Sequence, residues 1–203
     1  MSNNRIITLK PPLSKKDVKK LRAGEFIRVT GRIIVARDQA YARMLKLLRS
    51  GKRLPVDLRG GVVYHCGPLV QRTQGEWRMI SAGPTTSARL DNIQGEFVGR
   101  TGVRALVGKG GVSEKVAREI GELGCVYLAF PGGAGALAAR AIKSIERVLW
   151  LDLGLAEALW ILHVKDFGPL TVAVDTRGRN LYRRMKKQTF PSITKSDRKM
   201  KKS

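Results

Sequence analysis

Three short polar loops, each directly after an apolar, strand-like stretch, carry side chains suited to binding an anionic substrate. Their ranges are 36–38, 83–89 and 108–111. The loops supply the guanidinium groups of Arg37 and Arg89 and the ammonium group of Lys109. Forked guanidinium donors match carboxylate oxygens, and a compact ammonium adds a point charge. If the loops converge, these residues predict a site for a dicarboxylate.

Each loop also has a purely structural explanation. Arg37 beside Asp38 could be an ion pair at a helix start, and Thr85 with Thr86 could cap the helix that follows. The Gly-Lys-Gly-Gly stretch around Lys109 could be only a turn, because it lacks the spacing of a nucleotide-binding P-loop. Only convergence of the three loops would favour a binding site over these alternatives.

Apolar runs alternate with helical patterns along the chain, which predicts an α/β fold with a sheet covered at least partly on both faces. The predicted strands are 61–66, 77–82, 103–107, 125–130, 147–153, 159–164 and 170–174, the last two separated by a Gly-Pro turn. Residues 26–36 are predicted to form either a pair of strands or one strand bent at Gly31. Helices are predicted at 14–24, 38–50 and 113–123. Segment 131–139, rich in glycine and alanine, could be an anion-binding turn or a tightly packed helix start.

The net charge of +23 is unevenly distributed along the 203 residues. Residues 177–203 hold eleven basic side chains and one acidic one, Asp197. We therefore predict one domain over residues 1–182 and a basic, flexible tail over 183–203. The tail could be a solubilising or partner-docking extension, or a non-specific phosphate-binding segment. No nucleic-acid recognition motif supports a nucleic-acid partner.

Cysteine and histidine usage argues against a metal centre held by this chain alone. Cys66 and Cys125 stand far apart with no C-x-x-C pair, so we expect two buried free thiols and no metal ligands. His65 and His163 lie in apolar strands and are interpreted as core or edge histidines. No secretory signal or membrane-spanning stretch is evident, which predicts a cytoplasmic protein with no membrane contact.

Five motifs in a fixed order resemble one known enzyme family. They occupy residues 31–38, 64–68, 83–89, 107–111 and 164–170. The series resembles the β subunit, or C-terminal region, of class I fumarate hydratases and L-tartrate dehydratases, which are iron–sulfur hydro-lyases. The resemblance implies a swivelling three-layer β/β/α domain and reversible hydration of fumarate to L-malate. It also implies a hetero-oligomer in which a partner α subunit holds a 4Fe–4S cluster, so that this chain binds no metal itself.

The same resemblance assigns roles to four residues. Arg37, Arg89 and Lys109 would bind the substrate carboxylates, and Thr85 would act at the carbon where a proton is exchanged. A threonine hydroxyl would need an ionised neighbour, which the partner subunit would supply. One departure is Tyr41, which stands where many relatives have histidine. Fumarate is preferred as substrate; the alternatives are an L-tartrate dehydratase β subunit and a non-catalytic basic binding module.

Overall fold

The computed structural model describes residues 6–189, which form nine strands and six α-helices. The strands are β1 (Ile7–Leu9), β2 (Phe26–Ala36), β3 (Val62–His65), β4 (Leu69–Thr73), β5 (Glu76–Ser81), β6 (Ala105–Gly108), β7 (Val126–Ala129), β8 (Ile142–Leu149) and β9 (Leu159–Val174). The helices are α1 (Lys15–Lys19), α2 (Asp38–Arg49), α3 (Asp91–Thr101), α4 (Glu114–Glu122), α5 (Gly135–Ala141) and α6 (Leu181–Thr189). Short 3₁₀ helices cover Ser87–Leu90 and Leu151–Leu153. The predicted α/β class is confirmed.

Seven strands form one mixed sheet in the order β1-β2-β3-β6-β7-β9-β8, and β4 pairs with β5 as a separate hairpin. β1, β2, β3, β6 and β7 run parallel, whereas β9 is antiparallel to β2, β7 and β8. The additional β2–β9 pairing closes a ring of five strands, β2-β3-β6-β7-β9. The carboxyl ends of four parallel strands therefore meet at one end of this ring.

Alternation along the ring strands divides the apolar residues into two cores. In β3, Val62 and Tyr64 enter the first core and Val63 enters the second. The first core collects side chains from all five ring strands, so it fills the ring. The second lies under α2, α3 and α4, which contribute buried residues including Met44 and Phe97. Loops at the carboxyl ends of the strands thus rest on a packed base.

Local sequence signals account for the elements that position these loops. Ser113 caps α4 by accepting a hydrogen bond at Oγ from the Val116 N–H at 3.3 Å. Gly31, with φ of +127°, lies at a break in the β2–β9 register, where a left-handed conformation favours glycine. The single bent strand β2 can therefore pair with β9 along its length and still deliver Arg37 to the end of the ring.

The prediction of two strands at 159–164 and 170–174 is wrong. The structure has one sixteen-residue strand, β9, which continues through Gly168 and Pro169. Pairing with β2 holds on both sides of the expected turn, at Phe167 with Val29 and at Leu170 with Ile27. The turn-like residues are absorbed as a register irregularity because the long neighbouring strand supports the backbone on either side. Strand β4 was not predicted, since its LVQRT sequence is largely polar and exposed.

The segment predicted as a tail, 183–203, begins inside the helix α6. Arg183 of this helix forms an ion pair with Glu114 at 2.6 Å, and the Tyr182 ring lies against Gly111. Residues 190–203, the remainder of that segment, lie outside the described residues. Among the helices within residues 6–189, none is long and apolar enough to cross a lipid bilayer.

Candidate functional site

The three polar loops meet at the carboxyl ends of β2, β3 and β6. The Thr85 N–H donates to the His65 carbonyl at 2.7 Å, and the Lys109 N–H donates to the Thr85 carbonyl at 3.1 Å. The Ser87 N–H in turn donates to the Lys109 carbonyl at 3.2 Å. Backbone hydrogen bonds therefore join the Thr85 and Lys109 loops. Carboxyl ends of parallel strands are a frequent place for ligand sites in α/β folds.

One acidic side chain joins the Arg37 loop to the Arg89 loop. Asp38 Oδ2 lies 3.4 Å from Arg37 Nε and 3.0 Å from Arg89 Nη2. Glu157 Oε1 also accepts from Arg37 Nε, at 2.8 Å, while its Oε2 accepts from the Gln39 N–H at 2.9 Å. The ion pair that the sequence offered as an alternative is present. It also holds the two guanidinium groups near each other.

Arg37 is held more tightly by the protein than Arg89. The Arg37 side chain is 23% exposed, whereas that of Arg89 is 52% exposed. Gly67 lies against the Arg37 guanidinium, and an ideal Cβ at this glycine would stand 2.6 Å from Arg37 Nη1. A side chain at position 67 would therefore displace Arg37, which gives this glycine a packing reason.

Lys109 is exposed, and no acidic side chain in the described part of the chain forms an ion pair with it. The glycines around Lys109 are explained by backbone conformation and by close packing. Gly110 has φ of +71°, and an ideal Cβ at Gly111 would stand 3.0 Å from the Tyr182 ring. A Cβ at Gly108 would collide with the Ser87 hydroxyl. The turn explanation and the substrate-loop explanation of this stretch are thus compatible.

Beneath the loops lie buried, hydrogen-bonded polar side chains that the sequence analysis did not assign to a site. His65 is fully buried, as predicted for a core histidine, and contacts Tyr41 and Ser87. Burial lowers the His65 pKa to about 3, opposed in part by the nearby Asp38 charge, so the imidazole is neutral at pH 7. His163 is instead a half-exposed residue of β9, which is paired on both sides with β2 and β8, and its Nε2 lies 3.0 Å from Glu146. The signal for these buried polar side chains was a polar residue inside the apolar 61–66 run.

The chain's own residues do not fit an iron–sulfur cluster. Cys66 belongs to the first core and Cys125 to the second, so the two thiols lie on opposite faces of the sheet. Burial raises the pKa of each thiol to about 12, which disfavours the thiolate that a cluster requires. Within residues 6–189 no group of three or more His, Cys, Asp or Glu side chains could hold a metal ion.

Segment 131–139 follows the tight-packing alternative. Helix α5 has seven residues, and a Cβ at Gly135 would meet the Ser81 hydroxyl and lie 3.1 Å from the Gly83 nitrogen. The Gly135 carbonyl also accepts from the Ala82 N–H at 3.0 Å. Close approach of α5 to the end of β5 therefore explains the glycine.

Comparisons with known proteins agree with this arrangement. A family model described as Fumarase C-terminus matches residues 1–185. The chain is 41% identical over 182 residues to a putative L(+)-tartrate dehydratase subunit beta of Methanocaldococcus jannaschii, covering 89% of this chain and 93% of that protein. It is 38% identical over 179 residues to the L(+)-tartrate dehydratase subunit beta of Escherichia coli K12, covering 88% of each.

A putative fumarate hydratase class I of Geobacillus stearothermophilus is 36% identical over 194 residues, which are 95% of this chain and 37% of that longer protein. The match to two β subunits along nearly their full length agrees with the motifs at the strand ends. The chain therefore belongs to the fumarase C-terminus family, and it is a subunit of a hydro-lyase.

Proposed function

We propose that this chain is the β subunit of an iron–sulfur hydro-lyase that converts fumarate and L-malate reversibly, together with an α subunit that holds the 4Fe–4S cluster. The observation that carries the proposal is the convergence of the Arg37, Thr85–Arg89 and Lys109 loops. The family's swivelling three-layer β/β/α architecture is part of the same proposal. The strand ring with α2, α3 and α4 over one face supports it.

The cations are the carboxylate-binding groups of the proposed site. The Nε atom of Arg37 is held by Glu157, so its terminal Nη nitrogens are the ones directed to substrate. Arg89 is oriented by Asp38 through a single Nη2 contact. Lys109 adds a charge without an acidic partner among the described residues. Dicarboxylate binding is the chemistry that these three charges support best.

The same cations stabilise the charge that develops during the reaction. Removing a proton from the carbon next to a carboxylate creates a doubly charged aci-carboxylate. Donors fixed in place before the reaction stabilise such a charge without reorganising at the moment of proton transfer. The Arg37–Asp38–Arg89 bridge holds two of these donors, and backbone hydrogen bonds fix the loop that carries Lys109.

Thr85 is the proposed proton-transfer residue. Its backbone is held on both sides, by the His65 carbonyl and by the Lys109 N–H, and the residue is half-buried. In the dehydration direction the substrate carbon gives its proton to Thr85 Oγ, while the hydroxyl proton of Thr85 passes to an ionised carboxylate of the partner subunit. The pKa of an alcohol is too high for it to act without such a neighbour.

The solvent exposure of the proposed site supports the need for a partner subunit. Arg89 and Lys109 are exposed, so this chain does not exclude water from the proposed site. Charge stabilisation is much stronger in a closed site of low dielectric constant. A docked α subunit would close the site and bring the cluster, which supplies Lewis-acid chemistry for the hydroxyl that leaves.

L-tartrate is the second candidate substrate. Two relatives that the chain covers at 88% or more of their length are named as tartrate dehydratase β subunits. L-tartrate has the two carboxylates of malate and one additional hydroxyl group. The carboxylate-binding residues proposed here would therefore serve either compound.

The test is co-expression with the cognate α subunit, anaerobic cluster reconstitution, and assay of fumarate, mesaconate and L-tartrate. We expect fumarate to have the highest kcat/KM and the isolated chain to be inactive. Higher kcat/KM on L-tartrate would select the second substrate. A fully reconstituted complex that is inactive on all three compounds would contradict the proposed substrates.

A further inference from the structure

A continuous chain of four buried side chains runs beneath the proposed site. Tyr41 Oη lies 2.7 Å from His65 Nε2, His65 Nδ1 lies 2.8 Å from Ser87 Oγ, and Ser87 Oγ lies 2.9 Å from Tyr127 Oη. All four residues are fully buried. They come from α2, β3, the 3₁₀ helix after β5, and β7, so the buried hydrogen-bond chain joins four separate elements.

The Tyr127 hydroxyl has two kinds of acceptor, Ser87 Oγ within the buried hydrogen-bond chain and two backbone carbonyls outside it. Tyr127 Oη lies 3.2 Å from the Lys109 carbonyl and 3.1 Å from the Gly110 carbonyl, and carbonyls can only accept. With the Tyr127 proton directed to a carbonyl, its oxygen accepts from the Ser87 hydroxyl. Ser87 Oγ then accepts from the His65 Nδ1–H, and His65 Nε2 accepts from the Tyr41 hydroxyl.

The opposite direction leaves one buried donor, the Tyr41 hydroxyl, without an acceptor. With the proton on His65 Nε2, the Tyr41 oxygen would accept, and the Tyr41 hydroxyl proton would need another acceptor. Within residues 6–189 the only hydrogen bond of the Tyr41 side chain is to His65. Buried polar groups without partners are disfavoured, so the Nδ1–H form of the imidazole is the one that satisfies all four side chains.

Each candidate site residue is close to one member of the buried hydrogen-bond chain. Ser87 lies midway between Thr85 and Arg89 in sequence, and Tyr127 contacts the carbonyl of Lys109. The Tyr41 N–H donates to the Arg37 carbonyl at 2.9 Å in the first turn of α2.

The backbone at Gly108 passes close to the centre of the buried hydrogen-bond chain. An ideal Cβ at Gly108 would collide with Ser87 Oγ and stand 3.1 Å from His65 Nδ1. The polypeptide therefore leaves no space between the buried contacts and the Lys109 loop.

We propose that Tyr41, His65, Ser87 and Tyr127 are positioning residues for the substrate loops, and that His65 performs this role as the neutral Nδ1–H tautomer. The inference rests on the proposed function for its catalytic consequence. Its structural content, the tautomer and the coupling of the loops, is measurable without any activity. Tyr41 acts here through its hydroxyl, which donates to the imidazole across the gap between α2 and β3.

The first test is NMR spectroscopy of the full chain labelled with ¹⁵N-histidine, with a His163→Gln variant to assign the two imidazoles. We expect the proton of His65 on Nδ1 at pH 7. We also expect Ser87→Ala, which removes the acceptor, to increase the Nε2–H population. A wild-type His65 protonated on Nε2 would overturn the proposal, even if Ser87→Ala does not fold.

The second test measures positioning through the backbone amides. Ser87→Ala should shift the resonances of Thr85, Lys109 and Gly110. The matched control is Thr101→Val, because the Thr101 hydroxyl also donates one hydrogen bond, to the Phe97 carbonyl at 2.6 Å, at the far end of α3. Unchanged loop resonances in Ser87→Ala, or equal shifts in the control, would contradict the coupling.

In the reconstituted enzyme, Ser87→Ala should lower kcat/KM roughly 10- to 100-fold, because small displacements of reacting groups have effects of that size. Thr101→Val should leave kcat/KM near the wild-type value. Equal kinetic losses in the two variants would overturn the positioning role. An inactive wild-type complex would instead count against the proposed function, while the NMR tests would still decide the tautomer and the coupling.

Discussion

Two regions of the molecule are basic but are built differently. One is the strand edge, meaning the loops at the carboxyl ends of the ring strands that carry Arg37, Arg89 and Lys109, and the other is the segment 177–187. Six of the eleven residues in 177–187 are Arg or Lys and none is acidic. At the strand edge, by contrast, Asp38 lies between two arginines, and backbone hydrogen bonds tie Lys109 to Thr85. The strand edge therefore has fewer cations but a defined spacing between the two arginines.

In the C-terminal segment the fixed part is the backbone rather than the charges. The fully buried Asp175 accepts from the backbone N–H groups of Arg177 at 2.9 Å and Arg179 at 3.1 Å, while both arginine side chains are exposed. Arg183 pairs with Glu114 at a site where both side chains are about half exposed, and such pairs contribute little stability. Net charge attracts anions in general, whereas oriented charge can bind one particular anion.

Replacing Thr85 with alanine should give the largest effect at the strand edge. We expect kcat to fall roughly 100- to 10,000-fold with little change in KM, because a general acid–base group contributes about that much and does not bind the carboxylates. Steady-state kinetics of the reconstituted complex measures both constants. Thr86→Ala is the control, and a similar fall in kcat for both variants would contradict the assignment of Thr85.

Removing a single cation from the strand edge should have the next largest effect. We expect Lys109→Met and Arg89→Met each to lower kcat/KM about 100- to 1,000-fold, as the loss of one donor to a developing charge does. Lys165→Met is the matched control, since Lys165 is an exposed cation on β9. If Lys109→Met and Lys165→Met lose activity equally, oriented charge is not what distinguishes this edge.

The two arginines of the edge should differ in their effect on stability. Arg37→Met should lower the free energy of unfolding by about 1–2 kcal/mol, because the partly buried Glu157 carboxylate loses its ion pair, while Asp38 keeps only the contact with Arg89. Arg89→Met should change it by less than about 0.5 kcal/mol, as expected for an exposed side chain. Urea unfolding of the purified chain measures both values. Equal values would mean that Arg37 is not held as the contacts indicate.

The strand edge was the part of the molecule most accessible to sequence analysis. Polar loops directly after apolar strands predicted where Arg37 and Lys109 lie, because the parallel strands β2 and β6 end at a common edge. The Arg89 loop instead follows β5 of the separate hairpin, and the hydrogen bond from the Thr85 N–H to the His65 carbonyl brings it to the same edge. The continuity of β9 was not predictable in the same way. Gly168 and Pro169 signal a turn locally, and only the pairing of β9 with β2 keeps the strand extended through them.

The partners of the site residues were also hidden from the sequence. Glu157, which holds Arg37, lies 118 positions from Gln39, whose N–H it also accepts. Ser87 and Tyr127 are 40 positions apart. Such contacts follow from closure of the strand ring, and no local pattern encodes them. A polar residue in an apolar run, His65, was the only local sign of the buried hydrogen-bond chain.

Removing residues 190–203 should give the smallest effect on catalysis. These residues include five Lys or Arg and one Asp, and they follow α6, whose Tyr182 supports Gly111. Because α6 is retained, we expect kcat/KM to stay within about twofold of wild type, in the range of ordinary surface changes. Binding to single-stranded DNA, used as a generic polyanion, should weaken and depend less steeply on salt, since fewer phosphate contacts release fewer counterions.

A second truncation, of residues 181–203, distinguishes the effect of packing against the Lys109 loop from the effect of the basic charges. It removes Tyr182 from Gly111 and the Arg183–Glu114 pair in addition to the basic residues beyond them. We expect KM to rise in this variant, because the Lys109 loop loses the ring against which it packs, while the 190–203 truncation keeps KM unchanged.

If the shorter truncation already abolishes activity in an intact complex, the C-terminal charges belong to the site and the contrast between the two basic regions fails. If neither truncation changes KM, α6 does not support the Lys109 loop, and the strand edge is organised by the contacts of Asp38, Thr85 and Tyr127 alone.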